Sequence, residues 1–384
     1  YGHNSFFKGN YLFRTWTSAD AIIDYLLFAR NYVAECEERY GEETVELFLD
    51  SCHALMNYGV DRYKHPAPLS LGEEKQRQHE REEYLQSQIN DLWRTVPVKP
   101  TEAAAEESRR YPPEPQENLL YFIEKNAPLL EPWQREIVRI VRKIAQYFYP
   151  QRQTQVANEG WATFWHYTLM NRLYDEGYVN DGFMIEFLQS HTSVIQQLPF
   201  DHPYYSGLNP YALGFAMMSD IQRICQAPTA EDRHWFPDIA GQDWIKTLDF
   251  AMRNFKDESF IAQYLSPKVM RDFKLFAVLD DDTEDELEIT AIHDEAGYRR
   301  LRLALADQYN LGSREPNIQV WNVAHRQDRS LTLRHTRYHR RPLHPDSNRE
   351  VLKHLHRLWG FTVRLEAVDE NGKVELVGEC PAGK

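Results

Sequence analysis

Glu159 and His166 are the side chains whose types and spacing most invite chemistry in this 384-residue chain. They stand in Asn158-Glu159-Gly160-Trp161-Ala162-Thr163-Phe164-Trp165-His166, seven residues apart. On an α-helix that is two turns of ~3.6 residues each, so both project from nearly one face. Trp161, Phe164 and Trp165 would bury that face, and a buried ionisable group needs a partner. Two readings stay open: a structural hydrogen bond or ion pair inside a core, or a metal or acid–base site. His3, beside Asn4 and Phe6-Phe7, is a further candidate. So is His53, in the polar stripe Glu46, Asp50, His53 and Asn57, although such a stripe is ordinarily just the solvent face of a helix. As a set, His3, Glu159, His166 and His53 are expected to converge on one pocket as metal ligands. One carboxylate with two or more imidazoles suits zinc or another divalent first-row metal better than Mg²⁺ or Ca²⁺. No residue is assigned a catalytic role.

Several other chemistries are excluded. His79-Glu80-Arg81-Glu82-Glu83 lacks the second histidine of a His-Glu-x-x-His zinc helix. Gly378 to Lys384 spells Gly-x-x-x-x-Gly-Lys, but the Ser/Thr and the helix that a P-loop requires do not follow. Neither a Gly-x-Ser-x-Gly elbow nor a Gly-x-Gly-x-x-Gly fingerprint occurs.

The elements that must position these residues are mostly helical at first. Apolar periodicity predicts helices over 18–40, 42–58, 116–124, 132–148, 153–176, 181–197, 210–225 and 244–254. A charged, Pro/Ala/Glu-rich insertion near 66–116 offers no apolar face to bury and reads as mobile, most of all over 96–115. After Ser266-Pro267 the period changes to alternation, in 274–279 and 287–292. A helix over 297–309 follows, then strands over 317–323 and 330–337, a helix over 348–359, and strands over 361–368 and 373–377 about Asn371-Gly372. The fold class is therefore α+β: a large, mostly helical body over 1–264, then a smaller ββαββαββ-like domain over 265–384 with an antiparallel or mixed sheet. That domain is expected to fold as a separate unit with Trp321, Val323, Leu331, Leu333, Leu355 and Leu358 in its core.

Charge and cysteine content narrow the class. From Leu265 onward 19 Lys/Arg face 20 Asp/Glu, so about -13 of the net -14 belongs to the first part, which disfavours nucleic acid as a partner. Within the tail, Arg326, Arg329, Arg334, Arg337, Arg340, Arg341, Arg349, Lys353 and Arg357 cluster with His335, His339, His354 and His356. This is either a solvated basic face or a docking patch for an acidic partner. No apolar run approaches the ~18 residues of a membrane span, and four scattered cysteines make neither a disulfide framework nor a metal pair, so a cytoplasmic location is expected.

Read together, Tyr1-Gly2-His3-Asn4-Ser5-Phe6-Phe7-Lys8, Tyr11-Leu12-Phe13-Arg14 and His53-Ala54-Leu55-Met56-Asn57-Tyr58-Gly59-Val60-Asp61-Arg62-Tyr63 resemble the SpoVR family (stage V sporulation protein R). So do Asn158-Glu159-Gly160-Trp161-Ala162 with Trp165-His166, the stretch Gly207-Leu208-Asn209-Pro210-Tyr211-Ala212-Leu213-Gly214, and Phe255-Lys256-Asp257-Glu258-Ser259-Phe260. The resemblance covers nearly the whole chain, in the version of non-sporulating Gram-negative bacteria. It implies an N-terminal region upstream of Tyr1, ending in a further histidine. It also implies a role in spore cortex formation or in stationary-phase and stress response. The partners it implies are a PrkA-type serine protein kinase and a von Willebrand-like-domain protein.

A second, local resemblance links Asn158-Glu159-Gly160-x-Ala162 to the gluzincin aminopeptidase segment whose Glu is the third zinc ligand. Two functions are thus in view: a metal-dependent, gluzincin-like hydrolase acting on peptide or cell-wall precursor bonds, and a non-catalytic adaptor joining the kinase to its partner.

Overall fold

The structure is a computed structural model, which describes residues 2–16, 22–62, 111–112, 114–199, 202–275, 294–325, 327–337, 343–369 and 371–381. Its helices, in chain order, begin with α1 (Gly2–Gly9), α2 (Tyr11–Trp16), α3 (Ile22–Tyr40) and α4 (Glu42–Ala54), then α5 (Leu119–Asn126), α6 (Pro132–Arg152), α7 (Gln155–Asp175) and α8 (Asp181–Val194). There follow α9 (Pro210–Gln226), α10 (Ala230–Trp235), α11 (Trp244–Asn254), α12 (Asp257–Tyr264), α13 (Pro267–Asp272), α14 (Glu295–Gln308) and α15 (Leu311–Arg314). The chain then forms β1 (Asn317–Val323), β2 (Leu331–Thr336), α16 (Pro345–Trp359), β3 (Val363–Val368) and β4 (Val374–Cys380). This is the α+β arrangement that the change of period foretells. Most of the insertion lies outside the described residues, as do 276–279 of the alternating run over 274–279 and the whole of 287–292. Lys274, which is described, stands in a turn after α13 rather than in a strand.

The chain divides into two compact units, each made of two stretches: residues 1–32 with 146–315, and 33–145 with 316–384. In the first unit α7 is central. Its polar residues Asn158 and Glu159 sit beside two positions that must be small. A Cβ on Gly160 would stand 2.4 Å from the backbone carbonyl carbon of Gly214 in α9, and a Cβ on Gly2 would stand 2.7 Å from the Cα of Ala162. Both approaches bring backbones closer than any side chain allows, so α1 and α9 lie directly against α7. Around this contact Phe6, Phe164, Leu213, Met217, Met218 and Phe260 are fully buried.

The N-terminus of α7 is held from a distance. The Asp257 carboxylate, at the start of α12, accepts from the backbone N–H groups of Val156 (2.9 Å) and Ala157 (2.8 Å). It thereby satisfies two donors that a helix leaves open at its first turn.

The second unit carries a four-stranded sheet in the order β1-β2-β3-β4, with antiparallel, parallel and antiparallel pairings. One face is buried through Ile318, Val320, Val323, Leu331, Leu333, Val363 and Leu365, against Leu352, Leu355, Leu358 and Trp359 of α16. Trp321 departs from the expected core. A bulge between Val320 and Asn322 interrupts the alternation, and the half-buried Trp321 ring packs under the Arg334 guanidinium at 3.6 Å. The proline-rich stretch about Tyr111 is, in its described residues, tied to the β1 edge. The Val323 N–H donates to the Tyr111 carbonyl at 2.7 Å, and Gln116 exchanges two backbone hydrogen bonds with Val320. That cover protects a strand edge from pairing with other chains.

Candidate functional site

The site is built where α1 meets α7. His3, one residue past the Gly2 contact, directs Nδ1 at the Asn158 Oδ1 (3.2 Å) and Nε2 at the Glu159 Oε2 (3.7 Å). An amide oxygen only accepts, so the Nδ1 of His3 carries the hydrogen and its Nε2 holds a lone pair when the ring is neutral. Glu159 Oε2 is buried and, among the described residues, has no hydrogen-bond partner. Two lone-pair-bearing atoms thus face each other across 3.7 Å with no donor between them, an arrangement that a shared cation or proton relieves.

Access is one-sided, since the His3 side chain is 50% exposed and that of Glu159 15%. The Tyr211 hydroxyl, in the first turn of α9, lies within electrostatic reach of the Glu159 carboxylate. Burial first, and then the Glu159 charge, raise the Tyr211 phenol above its ordinary value, which keeps it a donor. Behind the pair, burial pushes the Asp257 carboxyl up to about 7 in spite of its backbone donors.

For a first-row metal the separation is suitable. Two ligands at bonds of about 2 Å around a tetrahedral ion stand roughly 3.4 Å apart, close to the His3–Glu159 distance. Asn158, only 1% exposed, would be the outer partner that fixes the imidazole tautomer, and Tyr211 the one that orients the carboxylate. Among the described residues, however, no three His, Cys, Asp or Glu side chains are grouped to hold an ion. The residues present fit two ligands of such a group.

Of the expected ligands, then, His3 and Glu159 come together. His166 sits elsewhere on α7: its ring is exposed and meets Phe187 of α8 edge-on at 4.9 Å, and its charge acts on the buried His191. Two helical turns displace it by ~10 Å along the axis from Glu159. His53 is exposed on α4, in the second unit. Neither the type nor the spacing of Tyr211 and Asn158 marks them as functional. A signal for Tyr211 does exist in Asn209-Pro210-Tyr211, because Asn209 caps α9, Pro210 occupies its first turn, and Tyr211 is thereby fixed at a helix start.

The basic cluster of the tail is largely neutralised inside its own unit. Arg334 pairs with Glu366 (2.8 Å), Lys353 with Glu350 (2.7 Å) and Arg349 with Asp346 (3.7 Å), while Arg357 donates to the Ser51 hydroxyl at 2.9 Å. His335 is buried, and Arg326, His339, Arg340 and Arg341 lie outside the described residues. Among the described residues no helix is long and apolar enough to cross a membrane.

Comparison with known proteins returns one family over both parts of the chain. The model described as "SpoVR like protein" matches residues 1–314, and that described as "SpoVR-like C-terminal domain" matches residues 316–370. The chain is 68% identical over 381 residues to the "Uncharacterized protein YcgB" of Escherichia coli (strain K12), covering 99% of this chain and 74% of that protein. No solved structure matches.

Proposed function

The chain belongs to the SpoVR-like protein family, and from that premise we propose that its first unit houses a divalent first-row metal site, held by His3 and Glu159, of a hydrolase-like protein. The observation that carries this is the buried, unpartnered Glu159 Oε2 facing the His3 Nε2 at 3.7 Å. When bound, such a metal supplies Lewis-acid polarisation of a carbonyl and lowers the pKa of its water. The chain's own residues do the rest: Asn158 holds the His3 tautomer, Tyr211 orients the Glu159 carboxylate, and Trp161 and Phe164 keep bulk water from the inner side.

Peptide or cell-wall precursor bonds as substrates, a cytoplasmic setting and a cortex, stationary-phase or stress role are proposals that rest on the family resemblance. The adaptor reading, with a PrkA-type kinase and a von Willebrand-like-domain protein as partners, would draw on a free basic docking face. The cations of that face which the structure describes are mostly engaged in internal pairs.

The test is metal analysis of the purified full-length protein and of its Glu159→Gln variant. We expect about one equivalent of first-row metal in the unchanged protein, the count of a single mononuclear site, and its loss in the variant with an unchanged circular dichroism spectrum. Equal metal content in both proteins, or none in either, overturns the proposal.

A further inference from the structure

A second feature of the first unit lies on α14 and is independent of the metal reading. The Arg302 guanidinium carbon stands 4.8 Å from the ring centroid of Trp235 and 5.4 Å from that of Phe236. Its Nε and Nη2 are buried and, among the described residues, have no hydrogen-bond partner. These two nitrogens form one edge of the planar fork, the edge that receives two oxygens of a carboxylate or phosphate side by side. Buried cations ordinarily have a counter-charge.

Two carboxylates of the described residues on α10 and α14 are already committed. Glu295 accepts from Arg299 Nε (3.1 Å) and Nη2 (2.6 Å) and contacts the His234 Nε2 (3.2 Å). Both oxygens of Glu231 take Arg271, at 2.9 and 2.8 Å. The charge that acts on Arg302 is a repulsive one, from Arg299 one turn earlier, whose guanidinium is itself 5.1 Å from the Trp235 ring. Burial, and then Arg299, pull the Arg302 guanidinium down to about 10, the direction expected of a cation without a partner.

We propose that Arg302 anchors a binding site for a small oxyanion, which places two oxygens on its Nε and Nη2 while Trp235 and Phe236 cover the guanidinium. Hydrophobic enclosure by the two rings strengthens a charge-assisted pair by excluding water, and the fork geometry selects planar or tetrahedral oxyanions over halides. A carboxylate and a phosphate offer the same pair of oxygens, and the experiment separates them.

The full chain, stripped of metal with a chelator and dialysed, is titrated with inorganic phosphate and with acetate against chloride at matched ionic strength, by calorimetry and by thermal unfolding. We expect one oxyanion to bind saturably and to raise Tm in step with its occupancy. Arg302→Met, which keeps the stem and loses the fork, should weaken that binding at least about tenfold. Arg302→Lys, which keeps the charge, should weaken it as well. Phosphate binding more tightly assigns a phosphoryl ligand, and acetate binding more tightly assigns a carboxylate. If neither anion exceeds chloride with the unchanged chain, or if Arg302→Lys responds as the unchanged chain does, the site is an internal cation–π contact and the proposal fails. Should Arg302→Met not fold, the unchanged chain and the Lys variant decide the matter.

Discussion

At the scale of single residues, the arrangement that stands out is a set of buried and half-buried carboxylates with very different partners. Glu159 has one oxygen unpaired. Asp257 caps a helix. Asp232, 3% exposed, takes both terminal nitrogens of Arg223 at 2.6 and 2.7 Å and closes a capping box with Thr229 at the start of α10. The Arg223 guanidinium holds the Asp232 carboxyl well below the usual carboxylate range. A depressed folded value means that the unfolded chain binds the proton more readily. The pair's contribution to stability is therefore full above the unfolded value of about 4 and is lost as pH falls below it. Asp232→Asn should cost about 2 kcal/mol at neutral pH, since Arg223 loses two charge-assisted bonds while its Nε keeps the Asp220 carboxylate at 2.7 Å, and should flatten the acid limb of the stability profile. Denaturant unfolding of both proteins between pH 3 and pH 7, roughly the span over which a depressed aspartate acts, checks this. An acid limb unchanged in the variant would show that Asp232 does not carry it.

At the scale of elements, glycine decides where the site can exist. Helix α7 presents Gly160 to Gly214 of α9, and α1 presents Gly2 to Ala162. In both places atoms of one backbone fill the space a Cβ would need, and that proximity brings Tyr211 and His3 to Glu159. Gly160→Ala gains about 1 kcal/mol of helix propensity and meets backbone 2.4 Å away, which cannot swing aside as a side chain can. Overpacking of this kind costs ~1–3 kcal/mol or more, so the clash outweighs the propensity and a net loss of stability is expected. Gly182→Ala, whose nearest neighbour would be the Asn180 side chain at 3.5 Å, is the control and should be neutral or slightly stabilising. Thermal unfolding of the two variants decides it, and equal Tm values would show that α7 and α9 are free to separate.

At the scale of the whole molecule, two divisions can be drawn, one along the sequence at 264/265 and one by compactness into interleaved stretches. They differ over a fragment comprising residues 265–384. In the compact division, α16 needs α4: Arg357 and His354 reach Ser51, and a Cβ on Gly360 would meet the Leu129 side chain at 2.7 Å. The Trp359 ring stacks at 6.0 Å on Phe122, and the β1 edge is covered from Tyr111 and Gln116. We expect the isolated fragment to lack a cooperative transition and to regain one when co-expressed with residues 33–145. A fragment that unfolds cooperatively by itself would favour the division along the sequence.

What the sequence determined by itself is the set of elements. Apolar periodicity and the switch to alternation place α11 and β1 at their observed bounds and most other elements within a few residues. This works because burial of one face is a local demand that each segment writes into its own pattern. The short helices α1, α2, α10, α12, α13 and α15 escaped, being too brief to show a period. Of the site, Glu159 and His3 were legible as residue types in aromatic surroundings, but the shared helical face suggested a partnership of Glu159 with His166 that the chain does not adopt. Spacing along one helix reports direction, not distance, and the two turns between those residues are too long for one ion. Only tertiary structure decided that His3, Asn158 and Tyr211 surround Glu159, because their meeting depends on how closely α1 and α9 approach α7. That approach is set by the absence of side chains at Gly2, Gly160 and Gly214, a property no periodicity records.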